Sequence, residues 1–170
     1  MYFFYFLRGD FLNINIVSVG KIKEKYIRLG IEEFSKRLQA YCRLRIIELA
    51  DEPTPDGASE RMEEITKEKE AARILAKLPK NTYVISLEIQ GKQLSSEGLA
   101  EKIQDLALEG RSDISFIIGG SLGLHQDISR LADLKLSFSK MTFPHQLMRL
   151  ILVEQIYRAF RINAGAPYHK

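Results

Sequence analysis

Short runs of apolar residues alternate along this chain with longer segments in which apolar residues recur about every 3.6 positions. The short runs are rich in isoleucine, valine and leucine and predict buried strands, whereas the periodic segments predict helices. Strands that are apolar on both faces and alternate with helices predict an α/β fold, with a parallel sheet that carries helices on both faces. The predicted strands span residues 14–19, 44–49, 83–88, 113–118 and 135–138.

The helices predicted between these strands differ in character. The first has a roughly 3.6-residue apolar stripe, whereas the second, over residues 60–78, is rich in charge and is typical of a solvated helix. A third helix is expected to begin after a hydroxyl cap at Ser95 or Ser96, and a fourth spans residues 126–131. The stripe of the first helix consists of Tyr26, Leu29, Ile31, Phe34 and Leu38.

The last predicted helix is the most apolar part of the chain. It begins at Pro144, since proline suits the first helical turn, where its missing N–H would be unpaired anyway, and it ends near Ile162. Apolar residues cover more than one of its faces, and such a helix is buried on several sides. We therefore expect part of its surface, with Ile156 pointing outward, to meet a second subunit, which predicts a homodimer.

The first residues do not fit the pattern of the rest. Their apolar run, residues 2–7, is too short to span a bilayer, and no cationic residue precedes it and no small-residue cleavage site follows it, as a signal peptide would require. The strand pattern starts only at Asn13. Residues 1–12 are therefore predicted to be an N-terminal extension outside the fold, and residues 13–170 to form one domain.

Composition narrows the class of protein. The chain has 170 residues, of which 45% are hydrophobic and 28% charged, which fits one globular domain, and its net charge of +3 permits an anionic partner without requiring one. Cys42 is the single cysteine, so no intramolecular disulfide can form, and a cytoplasmic location is expected. The three histidines stand far apart and no usual ligand spacing is present, so no metal site is expected.

Three loops follow predicted strands and would lie together, because the carboxyl ends of parallel strands share one edge of a sheet. The loops are residues 87–92, 119–123 and 137–143. The second loop reads GGSLG and leaves three interpretations open: a structural turn, a loop whose glycine backbone approaches a ligand with positive φ, or a nucleophile elbow built on Ser121. In the elbow, His145 or His169 would be the base and Asp133 would orient it.

The C-terminal fifth of the chain offers further polar groups. The loop SFSKMTFPH can present N–H groups and hydroxyls to an anionic ligand, but it equally fits a plain connection capped near Thr142. Glu154 and Arg158 have the spacing of an intrahelical ion pair. Residues 168–170 alone read as a frayed end. Positive charge is concentrated here, against the one acid Glu154, in Lys140, Arg149, Arg158, Arg161 and Lys170.

Three ordered pieces, FIIGGSLGL, FSKMTFPHQLMRLILVEQIYRAFRI and the terminal PYHK, resemble the ribosomal RNA large-subunit methyltransferase H family. The resemblance implies a SPOUT-type α/β fold with a C-terminal trefoil knot and a homodimeric active site. It further implies that S-adenosylmethionine is used to methylate N3 of a pseudouridine in a 23S rRNA stem-loop, on assembled ribosomes, without a metal or a membrane. Two other functions stay open: a small serine hydrolase that uses Ser121, and a non-catalytic module that binds ribosomes.

The resemblance also implies roles for single residues. His169 would remove the proton from the base, with His145 next in line, while Tyr168 would stack on the base and Arg158, with Lys170, would hold phosphate or negative charge. The cofactor pocket would be formed by Leu87, Gly119, Phe138, Ser139, Lys140, Met141, Thr142 and Phe143.

Overall fold

The computed structural model describes residues 11–168, and its centre is a five-stranded sheet. The strand order is β2-β1-β4-β3-β5, and every neighbouring pair is parallel. The predicted α/β class with a parallel sheet is therefore confirmed. The strands are β1 (Leu12–Val19), β2 (Cys42–Leu49), β3 (Tyr83–Gln93), β4 (Asp113–Ile118) and β5 (Leu134–Ser137).

Helices cover both faces of the sheet, as predicted. On one face, three helices pack over a large core that contains Ile14, Ile16 and Phe116; on the other, two helices pack over a smaller core around Val17 and Ile117. The helices of the large core are α1 (Lys25–Leu38), α3 (Ser96–Leu108) and α5 (His145–Asn163), and those of the small core are α2 (Glu60–Leu75) and α4 (Gln126–Leu131).

The stripe predicted for α1 is wrong at two positions. Tyr26 is 65% exposed and Leu29 is 54% exposed, whereas Ile27 and Ile31 are buried together with Leu38. The buried positions follow one another at steps that bring them onto a single helical face, and Tyr26 and Leu29 fall outside that face. This leaves an aromatic ring and a leucine on the surface within the first two turns of the helix.

The charge-rich helix α2 is less solvated than predicted and ends three residues earlier. Ser59 caps its first turn, since its hydroxyl accepts a hydrogen bond from the Met62 N–H at 3.3 Å. Further along, Ile74 and Glu70 are buried, and burial raises the pKa of the Glu70 carboxyl. A charged sequence therefore still contributes one face to the smaller core.

Strand β3 runs five residues beyond its predicted end because it pairs twice with the same partner. Both Leu87 and Lys92 pair with Leu136 of β5, so the ladder shifts register between them. Gly91 lies so close to β5 that a Cβ there would stand 2.7 Å from the backbone carbonyl of Lys135. Only glycine therefore fits where β3 comes this close to the backbone of β5.

Helix α5 lies in the groove between α1 and α3. Pro144 is its N-cap and not its first residue, and the helix approaches α1 closely, since a Cβ on Gly30 would lie 2.9 Å from Leu150. Ile156 is fully buried within the single chain, so its predicted outward position is wrong. The apolar faces of α5 are covered largely by the chain's own helices and sheet, which removes that ground for a second subunit.

Candidate functional site

A cleft of about 390 Å³ opens at the carboxyl edge of the sheet, where the three predicted loops come together. Its volume lies within the range of sites that hold small molecules or cofactors, roughly 300–1,000 Å³. Apolar side chains such as Leu87, Leu136 and Met148 form much of its wall, while glycine backbone and short hydroxyl side chains supply polar groups. The end of β3, the GGSLG loop and the loop before α5 thus form one concave site.

Seven of the eight residues predicted for a cofactor pocket line this cleft, and Lys140 is the exception. Lys140 is exposed and lies outside the lining, although both of its neighbours are part of it. The sequence therefore located the pocket, while the binding role of each residue stays a prediction. The lining residues are Leu87, Gly119, Phe138, Ser139, Met141, Thr142 and Phe143.

The loop before α5 holds its shape through its own serines. The Ser137 hydroxyl donates a hydrogen bond to the Ser139 carbonyl at 3.1 Å, and the Ser139 hydroxyl accepts one from the Met141 N–H at 3.0 Å. Met141 is 73% exposed on the rim of the cleft, and no side chain caps the first turn of α5, so the predicted cap near Thr142 is wrong. Free N–H groups and an exposed apolar side chain therefore border the same opening.

The GGSLG loop is a tight turn, closed by a hydrogen bond from the Gly123 N–H to the Gly120 carbonyl at 3.1 Å. The positive φ lies at Gly123, at +81°, and not at Gly119. Gly119 is needed for another reason, since a Cβ there would lie 2.8 Å from the backbone of Gly123. A larger residue at Gly119 would therefore deform the turn itself before it reached a ligand in the cleft.

Residues 11–168 do not assemble a Ser-His-Asp triad around Ser121. Ser121 is exposed in the turn, and its hydroxyl has no hydrogen-bonding partner among residues 11–168. Asp133, the predicted orienting acid, is instead tied to β3, because its carboxylate accepts a hydrogen bond from the Val84 N–H at 2.8 Å. Among the described residues no hydrogen bond or ion pair joins this acid to His145, one of the two predicted bases. The other predicted base, His169, lies outside the described residues.

Glu88 is a charged lining residue to which the sequence analysis gave no individual role, although it lies in the predicted loop 87–92. It ends the predicted part of β3, and its carboxylate accepts hydrogen bonds from the Ser86 hydroxyl at 2.5 Å and from the Ser129 hydroxyl at 3.0 Å. Ser129 belongs to α4, so two elements fix this carboxylate at the cleft wall. The available signal was its position at a strand end of a parallel sheet, the place where such sheets carry ligand-binding residues.

His145 is the predicted catalytic residue that the structure places at the cleft. It begins α5, lines the cleft and adjoins Gly20, where a Cβ would lie 3.5 Å from the His145 Nε2 atom. Burial lowers the pKa of His145 below 6.5, and the positive charges of Arg149 and Lys23 lower it further, against the opposing effect of Asp51. The imidazole is therefore neutral at neutral pH, the form that can accept a proton.

Arg149 fastens this end of α5 to the sheet. It is almost completely buried, and its guanidinium donates hydrogen bonds to the Val19 carbonyl at 2.6 Å, to the Gly20 carbonyl at 2.8 Å and to a Glu48 carboxylate oxygen at 2.9 Å. A buried charge is tolerated where it is paired and hydrogen-bonded. The charge of Arg149, counted among the positive charges of the C-terminal fifth, is therefore buried and paired, and the residue positions His145 one helical turn away.

The other predicted catalytic residues lie at the opposite end of α5. Arg158 pairs with Glu154 at 2.6 Å, which confirms the predicted intrahelical ion pair. The Tyr168 hydroxyl donates to the same Glu154 carboxylate at 3.1 Å, its ring packs edge-on against Tyr157 at 5.0 Å, and the Arg158 guanidinium lies 4.9 Å from the ring centre. The frayed end that the residues alone predicted is therefore wrong for Tyr168. His169 and Lys170 lie outside the described residues.

Within one chain, His145 at the cleft lies far from Arg158 and Tyr168 at the other end of α5. Arg158 follows His145 by thirteen residues of α5, which corresponds to about 20 Å along the helix axis. The structure thus brings His145 and the cofactor-pocket residues together, but it does not bring Tyr168 and Arg158 to the same cleft. Among the described residues no group of three or more His, Cys, Asp or Glu side chains could hold a metal ion. None of the described helices is long and apolar enough to cross a membrane.

A family model described as "Predicted SPOUT methyltransferase" matches residues 12–169. The chain belongs to the SPOUT methyltransferase family. Two curated proteins named ribosomal RNA large subunit methyltransferase H, from Clostridium novyi (strain NT) and Clostridioides difficile (strain 630), are each 62% identical over 159 residues. Each match covers 94% of this chain and 100% of the relative. The predicted resemblance to this methyltransferase family is thereby confirmed.

Solved structures agree on the fold. A "probable methylase family protein" from Haemophilus influenzae Rd KW20 superimposes with a TM-score of 0.52 at 13% identity, over 94% of this chain and 71% of its own. At this identity the likeness concerns the fold alone. The SPOUT-type α/β fold implied by the sequence pieces is therefore confirmed by the family match and by the shape of a methylase whose sequence has diverged widely.

Proposed function

We propose that this protein uses S-adenosylmethionine to methylate N3 of a pseudouridine in a 23S rRNA stem-loop, and that it acts on assembled ribosomes in the cytoplasm. The observation that carries the proposal is the cleft in which Leu87, Gly119, residues 138–139 and residues 141–143 meet from three separate loops. The names of the 62% identical relatives support a ribosomal RNA substrate. S-adenosylmethionine is the cofactor of the SPOUT methyltransferase family, to which the chain belongs.

The cleft fits this cofactor in size and in chemistry. Its volume of about 390 Å³ suits a molecule with an adenosine and an amino-acid part. The apolar walls formed by Leu87 and Leu136 suit a flat base, and the turn at residues 119–123 exposes glycine backbone to hydrogen-bonding groups. Glu88 adds a carboxylate, which we propose holds the ribose hydroxyls or the positively charged part of the cofactor. When bound, S-adenosylmethionine supplies a methyl group on a cationic sulfur.

The residues of the chain then have to position the RNA base and remove one proton. The N3–H of a pseudouridine is weakly acidic, so a neutral imidazole near the cleft can accept its proton as the methyl group is transferred. His145 meets this requirement within the described residues, because its lowered pKa keeps it neutral. His169, the residue that the family resemblance favours, remains the first candidate, and both histidines enter the tests below.

A homodimer could bring the cleft of one chain next to Tyr168 and Arg158 of the other. In a two-fold dimer the same surfaces of two chains meet in opposite directions, so the tail end of one α5 can reach the cleft end of the other. We propose this arrangement for the active site, with Tyr168 and Arg158 of one chain acting at the cleft of its partner. The roughly 20 Å separation of His145 from Arg158 along α5 supports the proposal.

The test is transfer of a tritiated methyl group from S-adenosylmethionine to ribosomes purified from a strain that lacks the enzyme, followed by mass mapping of the rRNA. The proposal expects one methyl group per ribosome at a pseudouridine in 23S rRNA. Methylation at another nucleotide would keep the methyltransferase and refute the target. A protein that binds ribosomes but neither binds S-adenosylmethionine nor transfers methyl groups would be the non-catalytic ribosome-binding module. Labelling of Ser121 by a fluorophosphonate would support the serine hydrolase.

A further inference from the structure

A turn of alternating lysines borders the cleft and has no role in the chemistry described so far. Residues 21–25, here called the basic turn, join β1 to α1 and carry Lys21, Lys23 and Lys25 against one acid, Glu24. All three lysines are exposed, and within the described part of the chain their ammonium groups make no ion pair or hydrogen bond. The turn therefore presents unneutralised positive charge to solvent.

The backbone of the basic turn is fixed from several sides. The side chain of Ile22, between the first two lysines, is buried, and its N–H donates to a Glu48 carboxylate oxygen at 3.2 Å. The Ile22 carbonyl accepts from the Arg28 guanidinium at 2.9 Å, and the Lys23 N–H donates to the Gln146 side chain at 2.7 Å. A rigid backbone that displays free charges loses little entropy when it binds a partner.

The basic turn lies directly beside the candidate site. Gln146, which accepts the hydrogen bond from Lys23, follows His145 in α5, and His145 lines the cleft. The positive charge of Lys23 acts on the cleft residue His145, because it helps to lower the pKa of that imidazole. Tyr26, 65% exposed, continues the same surface with an aromatic ring. Lysines hold phosphates, and exposed aromatic rings stack on unpaired bases.

We propose that the basic turn binds the phosphates of the RNA strand that flanks the target nucleotide and so positions that nucleotide over the cleft. This inference rests on the proposed function, because it assigns the RNA substrate a place on the surface. The occupant is the sugar–phosphate backbone of RNA, since the surface combines fixed ammonium groups with an exposed ring next to the cofactor cleft. A second protein subunit on the same surface is the alternative that the experiment below excludes or reveals.

The test compares two triple variants of the full-length protein. The first replaces Lys21, Lys23 and Lys25 by glutamine. The control makes the same change at three other exposed lysines that lack described partners, Lys36 at the far end of α1 and Lys77 and Lys80 just before β3, so both variants lose the same charge. Binding to ribosomes from a strain without its own enzyme of this family is measured by co-sedimentation over a range of potassium chloride concentrations at constant magnesium.

The basic-turn variant is expected to bind ribosomes at least about tenfold more weakly and to lower the slope of log affinity against log salt by about one per lost phosphate contact. Its KM for ribosomes should rise while kcat, the affinity for S-adenosylmethionine and the sedimentation of the free protein stay unchanged. The control should behave like the wild type. The single variants Lys21→Gln and Lys25→Gln should each show part of the loss.

Three results would overturn the inference: wild-type affinity and salt slope in the basic-turn variant, an equal loss in the control, or a change in the oligomeric state of the basic-turn variant, which would mark the turn as a subunit contact. Failure of the proposed function would appear in a different measurement, the methyl-transfer assay of the wild type. If the wild type transferred no methyl group, the salt dependence of ribosome binding would still decide whether the basic turn contacts RNA.

Discussion

The two ends of α5 differ in how many contacts they make with other parts of the same chain. At the first end, no side chain caps the helix, and Met141 and Phe143 are exposed beside an open cleft. At the other end, the tail folds back, and Tyr168 is held by Glu154 and Arg158. One end is open to a ligand and the other is closed and polar, although both carry residues that the sequence associates with catalysis.

This difference indicates what the tail is for. C-terminal tails without a function are usually poorly ordered. Tyr168, by contrast, is held in a fixed position by a hydrogen bond to Glu154 and an aromatic contact with Tyr157. This position lies about 20 Å along α5 from the cleft that Tyr168 would have to serve. We infer that the closed end completes the open end of a second chain, and the predictions below separate the contributions of the two ends.

The largest effect is expected from removal of residues 168–170. The shortened protein should bind S-adenosylmethionine with unchanged affinity, because none of the cleft-lining residues is altered, but transfer methyl groups at least about 100-fold more slowly, the usual size of a lost proton-transfer group. Single-turnover transfer to ribosomes measures the rate, and calorimetry measures the affinity. Near-normal transfer would exclude the tail from the site and make His145 the base to test next.

A substitution in the cleft beside the open end of α5 should weaken the binding of S-adenosylmethionine. Glu88→Gln removes the charge of the carboxylate held by Ser86 and Ser129, and we expect S-adenosylmethionine to bind about tenfold more weakly, the value of one charge-assisted hydrogen bond. Glu101→Gln, on the exposed side of α3, is the matched control and should bind normally. Equal affinities for both variants by calorimetry would remove Glu88 from the cofactor site.

A subtler change at the closed end should loosen the tail without removing it. Tyr168→Phe keeps the ring contact with Tyr157 but loses the hydrogen bond to Glu154, whose net worth is about 1 kcal/mol. Amide hydrogen exchange around residue 168 should become faster, and methyl transfer should fall by about threefold. Tyr26→Phe, whose hydroxyl is exposed, serves as the control. Unchanged exchange in Tyr168→Phe would show that the hydroxyl does not hold the tail.

The smallest effect is a pH dependence of stability at the open end. Because the pKa of His145 is lower in the folded protein than its ordinary value of 6.5, the unfolded chain takes up a proton first as the pH falls. The stability that neutral His145 provides is therefore present above pH 6.5 and lost as the pH falls through its folded value. Urea unfolding at pH 8 and pH 5 should show a smaller pH effect in His145→Gln than in the wild type, and an equal effect in both would refute the lowered pKa.

Local patterns predicted the sheet and the place of the cleft well. The bounds of β4 and α4 agree with the prediction, because continuous apolar runs and clear turns delimit them. The features that were missed depend on contacts between distant segments. Leu136 pairs with both Leu87 and Lys92, and Glu88 meets Ser129 from a different element. Periodicity along a chain carries no information on such contacts between distant segments.

Contacts with distant segments also explain why the burial of Ile156 and Arg149 in α5 was not predicted. Its apolar residues were correctly predicted to be buried on several sides, but the sequence could not show that α1 and α3 pack against α5 and that Ile156 is fully buried within one chain. Nor could it show that Arg149, one of the positive charges of the C-terminal fifth, is buried against the carbonyls of Val19 and Gly20. The homodimer is therefore best tested through function.

The most direct measurement mixes two inactive variants of the full-length chain. One lacks residues 168–170 and keeps an intact cleft, and the other carries a cleft that no longer binds S-adenosylmethionine, with Gly119→Val and Glu88→Gln, and keeps an intact tail. After the two are unfolded together and refolded, half of the dimers are mixed and each holds one complete site, so methyl transfer should return to about one quarter of the wild-type rate. A mixture as inactive as its two components would contradict an active site shared between the closed end of one chain and the open end of another.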